Sequence, residues 1–121
     1  FVDRRRAIAA AYRRAFEAVE GVEMPPEAEW AKHAYHLFPI RVAPEKRHEL
    51  FEGLRGRGIG VQVHYIPVNA LAAYRDLGYE PTDTPRTLAE YRRMVSLPMY
   101  PTLTDDDVRR VVATVAELLA Q

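Results

Sequence analysis

Apolar residues recur at spacings of three and four near the start of the chain. Ile8, Tyr12, Ala15, Phe16 and Val19 therefore share one face of a helix. Asp3 reads as its N-cap and Gly21 as its stop. Arg4, Arg5 and Arg6 oppose the dipole at that helix start, so they read either as a solvated face or as the inside of a helix that begins earlier. Pro25-Pro26 ends this unit and opens a loop to about Lys32. The pattern then alternates: Ala34, His36, Phe38, Ile40 and Val42 fall on one side, and Tyr35, Leu37, Pro39 and Arg41 on the other. That predicts a strand. Pro39 lacks a ladder donor, so it calls for an edge position or a bulge.

Pro44 opens a short helix carrying Leu50, Phe51 and Leu54, closed by Gly56 and Gly58. Ile59 to Tyr65 alternates again and reads as a second strand, stopped by Pro67. Ala70 to Leu77 reads as a short helix ending at Gly78. Thr84-Pro85 starts another helix, with Leu88, Tyr91 and Val95 following; Val95-Ser96-Leu97 is a short extended piece before Pro98. Thr104 caps the last helix, Asp105, Asp106 and Asp107 fill its first turn, and Val108, Val111, Val112, Val115, Leu118 and Leu119 are expected to form its buried stripe. The order α-β-α-β-α-α-β-α predicts an α/β chain, more narrowly an α+β two-layer sandwich: a small two- to three-stranded sheet backed by helices.

At 121 residues the chain is one domain's worth, large enough for one core. Lys+Arg 17 balances Asp+Glu 17, which disfavours a dedicated nucleic-acid or anionic-membrane binder. No apolar run reaches the roughly 18 residues of a membrane span. The absence of cysteine excludes disulfides, thiolate metal sites and cysteine nucleophiles. The chain opens on Phe1 rather than methionine, from which we expect a piece of a longer polypeptide. Only two of the 17 basic residues are lysines, Lys32 and Lys46.

Few residues invite chemistry. His33 and His36 point to opposite faces if they lie on a strand, which argues against a metal pair, and His48 sits among charged neighbours on a helix surface. Ser96 lacks a Gly-x-Ser-x-Gly elbow and reads as structural. Asp105 to Asp107 are explained as first-turn acids. Gly56 to Gly60 precedes a strand, whereas a phosphate-cradling loop precedes a helix. His64-Tyr65 stands apart. It ends a strand just before a proline-broken loop, where α/β proteins place ligand-contacting groups. A pair that merely caps the sheet is the alternative.

Three stretches carry a resemblance. They are His36-Leu37-Phe38-Pro39-Ile40-Arg41-Val42, Gly58 through Pro67, and Ser96-Leu97-Pro98-Met99-Tyr100-Pro101 with Leu103-Thr104. In that order and at those intervals they resemble the C-terminal small domain of the DegT/DnrJ/StrS-type aminotransferases, which use pyridoxal phosphate to aminate nucleotide sugars. The likeness runs from about His33 to Leu119. Val63-His64-Tyr65-Ile66-Pro67-Val68 is most similar to the transaminase of the pseudaminic-acid pathway, which aminates a UDP-4-keto-6-deoxy sugar with glutamate as donor.

The resemblance implies that residues 1–121 form one small domain, with a linking helix at 1–24 and an α/β core at 32–121. It implies a fold-type-I enzyme whose large domain, outside this sequence, holds pyridoxal phosphate through its own lysine. It implies a cytoplasmic homodimer that acts on a UDP-sugar and an amino-acid donor. His64 and Tyr65 become expected substrate contacts, with Gln62 and Ile66 beside them; no catalytic, cofactor-binding or metal-binding residue is expected in this chain. Neither Lys32 nor Lys46 sits where the family places its cofactor lysine, so the chain alone is expected to be inactive. Asn69 replaces the histidine many relatives carry, and the apolar Ala70–Ala73 run departs from the family's loop near Tyr74. The competing expectation is a non-catalytic small-molecule-binding or protein-interaction module. Such a module would be self-sufficient and free of a large exposed apolar patch.

Overall fold

The helical spacing of Ile8, Tyr12 and Phe16 becomes α1 (Val2–Phe16) in the computed structural model, which describes residues 1–121. Phe1 occupies the N-cap without a side-chain bond, so Asp3 is not the cap; it lies inside the first turn, 3.8 Å from Arg6. The arginines at this end tie α1 to distant chain. Arg4 donates to the Leu103 carbonyl and to Asp105 at 2.8 Å, and Arg6 donates to the His33 carbonyl at 2.9 Å. These partners offset the unfavourable dipole and replace the solvated-face reading. The helix stops at Phe16, short of Gly21, which turns at φ +80°.

The first strand is shorter than its alternation predicts. β1 covers Phe38–Arg41, and Phe38, Ile40 and Val42 are buried as expected. Upstream, Tyr35 adopts φ +47° and turns its ring into the core, while Ala34 and His36 are exposed. β2 (Met94–Leu97) pairs antiparallel with β1, Phe38 opposite Leu97 and Pro39 opposite Ser96. Ser96 exchanges both backbone hydrogen bonds with Gln62, at 3.2 and 2.7 Å. Ser96 therefore has none left for Pro39, and the Pro39 nitrogen faces away from β2, as its missing N–H requires. On that outer side Arg41 exchanges backbone bonds with Glu23.

The expected strand over Ile59–Tyr65 is reduced to the single Gln62–Ser96 bridge. Its inward residues keep the alternation, with Ile59 and Val61 buried. The ladder cannot extend, because the position opposite Gly60 is Pro98, which has no N–H, and the chain bends at His64. The sheet is thus two-stranded, at the lower end of the expected range.

Around it lie α2 (Pro44–Gly56), α3 (Ala72–Arg75), α4 (Pro85–Arg93) and α5 (Asp105–Leu119). The helix expected over Ala70–Leu77 is only α3, one turn flanked by 3₁₀ turns at Val68–Ala70 and Pro81–Asp83. Val95 lies in β2 and not on the stripe of α4. α5 packs on both α1 and α2. Tyr12 crosses the core to Phe38, ring centres 5.1 Å apart, and its hydroxyl donates to the Pro98 carbonyl at 3.1 Å. Burial pushes the Tyr12 phenol well above the usual range.

α5 begins as the sequence predicts. The Thr104 hydroxyl accepts from the Asp107 N–H at 3.1 Å, and the Asp107 carboxylate accepts from the Thr104 N–H at 3.0 Å. The Thr104 hydroxyl also donates to the Asp107 carboxylate at 2.6 Å, and that bond, followed by the one from the Thr104 N–H, holds the carboxyl below its ordinary 3.8. Thr104→Ala is expected to cost about 1 kcal/mol at neutral pH in a urea titration. A depressed carboxyl stabilises the fold above its unfolded pKa, and that contribution is lost as pH falls through the folded value. The gap between the two proteins should therefore narrow in acid; a gap that widens would contradict the capping role.

Candidate functional site

The extended chain from Ile59 delivers His64 and Tyr65 to the end of the sheet. Gln62 is held by its backbone bridge to Ser96 and its side chain is exposed. His64 is half-buried, and its ring meets the Tyr65 ring edge-on, centres 4.7 Å apart, across a cis peptide. The His64 Nδ1 is buried without a partner. Tyr65 is 72% exposed and Ile66 50% exposed. The four expected contact residues thus lie together on one segment, with Tyr65 and Ile66 turned outward. That arrangement offers an imidazole, a phenol and a primary amide, groups that hydrogen-bond to phosphate or sugar oxygens.

Just downstream the same segment enters a cleft of about 540 Å³, lined by Pro67, Val68, Asn69, Tyr74, Tyr79, Asp83, Thr84 and Thr87. Tyr74 and Tyr79 meet edge-to-face, ring centres 6.0 Å apart. Asn69 closes the turn by donating to the Glu80 carbonyl at 2.7 Å and to the Thr84 hydroxyl at 3.1 Å. A structural amide explains Asn69 without a titrating role. Seven large apolar or aromatic side chains between Tyr65 and Tyr79 are exposed here: Tyr65, Ile66, Val68, Leu71, Tyr74, Leu77 and Tyr79. Such a run is the feature the self-sufficient module was expected to lack.

A second hollow, about 310 Å³, lies between α1 and the segment leading to β1, lined by Arg13, Glu27, His33, Tyr35 and His36 among others. His33 and His36 sit in this loop and not on a strand, so the face argument against a pair does not apply to them. The His33 Nδ1 accepts from the Tyr35 N–H at 2.8 Å. The Tyr35 hydroxyl donates to the Glu27 carboxylate. Burial and then that carboxylate push the Tyr35 phenol up. Periodicity did not reveal this hollow, because a non-glycine residue in the left-handed region leaves no spacing signal. No three histidine or acidic side chains converge as a metal-ligand set. No helix is long and apolar enough to cross a membrane.

The lysines do not fit a coenzyme imine. Lys32 is exposed in a loop, and its carbonyl accepts from Arg6 at 3.3 Å. The Lys46 ammonium lies 4.0 Å from Glu49 on the same helix. An imine-forming lysine stands in an enclosed pocket without a competing ion partner; Lys32 is exposed, and half-buried Lys46 is paired with Glu49.

Comparison with known proteins gives a consistent result. The DegT/DnrJ/EryC1/StrS aminotransferase family profile matches residues 1–116. The spore coat polysaccharide biosynthesis protein SpsC of Bacillus subtilis is 35% identical over 122 residues, which is 96% of this chain and 31% of SpsC. The chain spans about a third of the length of the curated relatives it matches. Spr1654 from Streptococcus pneumoniae, in its pyridoxal phosphate form, superposes with a TM-score of 0.91 at 27% identity, covering 98% of this chain and 31% of that one. DesV of S. venezuelae, in complex with a ketimine intermediate, gives 0.90 at 32%, covering 100% and 32%. PseC of Helicobacter pylori, involved in pseudaminic-acid biosynthesis, shares the fold at 24% identity and a TM-score of 0.86, covering 98% and 33%.

Proposed function

Since this chain belongs to the DegT/DnrJ/EryC1/StrS aminotransferase family, we propose that it is the C-terminal small domain of a sugar aminotransferase. The whole enzyme would move an amino group from an amino acid, glutamate in our reading, to the keto group of a UDP-linked deoxy sugar. Pyridoxal phosphate would sit on the large domain, held by that domain's lysine, and the chain by itself would be inactive. The match across residues 1–116 carries this reading, and the misfit of Lys32 and Lys46 supports the division of labour.

Within that enzyme, His64, Tyr65, Gln62 and Ile66 would face the nucleotide sugar. The exposed run from Tyr65 to Tyr79 would be covered by the large domain or by the second subunit of a cytoplasmic homodimer. The narrower assignment to the pseudaminic-acid pathway rests on the Val63-His64-Tyr65-Ile66-Pro67-Val68 stretch.

The test is His64→Ala in the complete enzyme, assayed with a UDP-4-keto-6-deoxy-N-acetylhexosamine. KM for the nucleotide sugar should rise about tenfold with kcat within about twofold, the cost of one hydrogen bond to a charged or hydroxylated ligand. Unchanged KM and kcat would remove His64 from the site.

A further inference from the structure

We infer that Ser96 is a positioning residue for His64; the inference rests on the reading that His64 contacts the substrate. Ser96 sits within β2, only 3% exposed, and its hydroxyl has no hydrogen-bond partner. A buried hydroxyl left unpaired is unfavourable and rare. The His64 Nδ1 is likewise buried without a partner.

The register brings the two together. Ser96 lies opposite Gln62 through reciprocal backbone bonds, so their side chains share one face of the sheet, the face opposite Phe38 and Ile40. His64 follows Gln62 by two residues, where the chain bends, and its Nδ1 is turned into the protein and buried. A position two places from the paired one is within reach of a long or aromatic side chain. The other imidazole nitrogen has no protein partner and is not among the buried atoms without one, so it faces outward.

The hydroxyl is a donor and an unprotonated Nδ1 is an acceptor. Rotation of the imidazole about its broad χ2, with the free hydroxyl rotor following, lets the Ser96 O–H donate to the His64 Nδ1. That bond holds the ring proton on Nε2. The outward nitrogen is then an N–H donor aimed at a phosphate or sugar oxygen. Ser96 touches no substrate; it fixes which tautomer His64 presents.

Ser96→Ala and His64→Ala, singly and together, test this in the complete enzyme with the same UDP-keto sugar. Ser96→Ala should raise KM about fivefold with kcat nearly unchanged, and should have no further effect in the His64→Ala background. An unchanged KM in Ser96→Ala, or an equal rise when His64 is already absent, overturns the inference. If Ser96→Ala fails to fold, nitrogen-15 spectra of the histidine-labelled wild type decide instead. An Nε2–H tautomer at His64 supports the link, and an Nδ1–H tautomer refutes it. His64→Ala with unchanged kinetics would instead defeat the substrate-contact reading, and the tautomer would still report on the Ser96 pair.

Discussion

Phe38→Ala is expected to remove about 3–5 kcal/mol from the stability of this domain in a urea titration. Phe38 is fully buried at the start of β1, pairs with Leu97 across the sheet, and lies at 5.1 Å from the Tyr12 ring and 6.3 Å from the Tyr35 ring. It is the point where α1, the sheet and the turned-in tyrosine meet. Truncation removes its own buried area and leaves a void that Tyr12 cannot relax into, because the Tyr12 hydroxyl is tied to the Pro98 carbonyl. Domains of ordinary stability have about 5–15 kcal/mol in all, so this one side chain is a large share. A loss below about 1 kcal/mol would mean the aromatic cluster is not the centre of the core.

Gly53→Val should cost about 2–3 kcal/mol, through overpacking and not through backbone freedom. Gly53 lies inside α2 where it crosses α5. A Cβ placed there would come within 2.7 and 2.8 Å of the two methyl carbons of Leu118. Leu118 is itself buried in the core, so its side chain must shift to admit the valine. Helix propensity favours replacing this glycine by about 1 kcal/mol for alanine, so a net loss isolates the steric cost. In a Leu118→Ala background the same valine should enter the space that leucine leaves, and its penalty should shrink by more than half. Equal penalties in both backgrounds would show that α2 and α5 do not meet at this pair.

What could be read from residues alone was strongest where local chemistry decides. Thr104 as cap, three acids in the first turn and a valine stripe behind specified the start of α5, although Val112 and Leu119 are only partly buried and Thr114 takes a buried place. It failed where distant atoms decide. α1 ends at Phe16 and not near Gly21, and beyond it the chain folds back so that Arg13 donates to the Pro25 carbonyl at 2.7 Å. Tyr35 leaves the alternation because its ring packs toward Phe38 while its hydroxyl meets Glu27. The second strand collapsed to one bridge because a proline stands across the sheet from Gly60, a relation that only the fold reveals.

The candidate site divides the same way. His64 and Tyr65 were legible as the end of an extended run before a proline. The Tyr74–Tyr79 cleft was not, since its walls come from separate turns joined through Asn69, Glu80 and Thr84. Ser96 looked structural by motif, and only its burial without a partner marks it out.

The placement of Pro39 reaches beyond the site. A two-stranded sheet exposes a free margin that, unguarded, recruits extended segments from other molecules and seeds fibrillar assembly. Here that margin presents an imino nitrogen with nothing to offer, and the next outward residue, Arg41, has its amide and carbonyl already occupied by Glu23. Along this border only the Pro39 carbonyl is left to accept, with no N–H beside it, so a neighbouring strand finds too few paired groups to build a ladder.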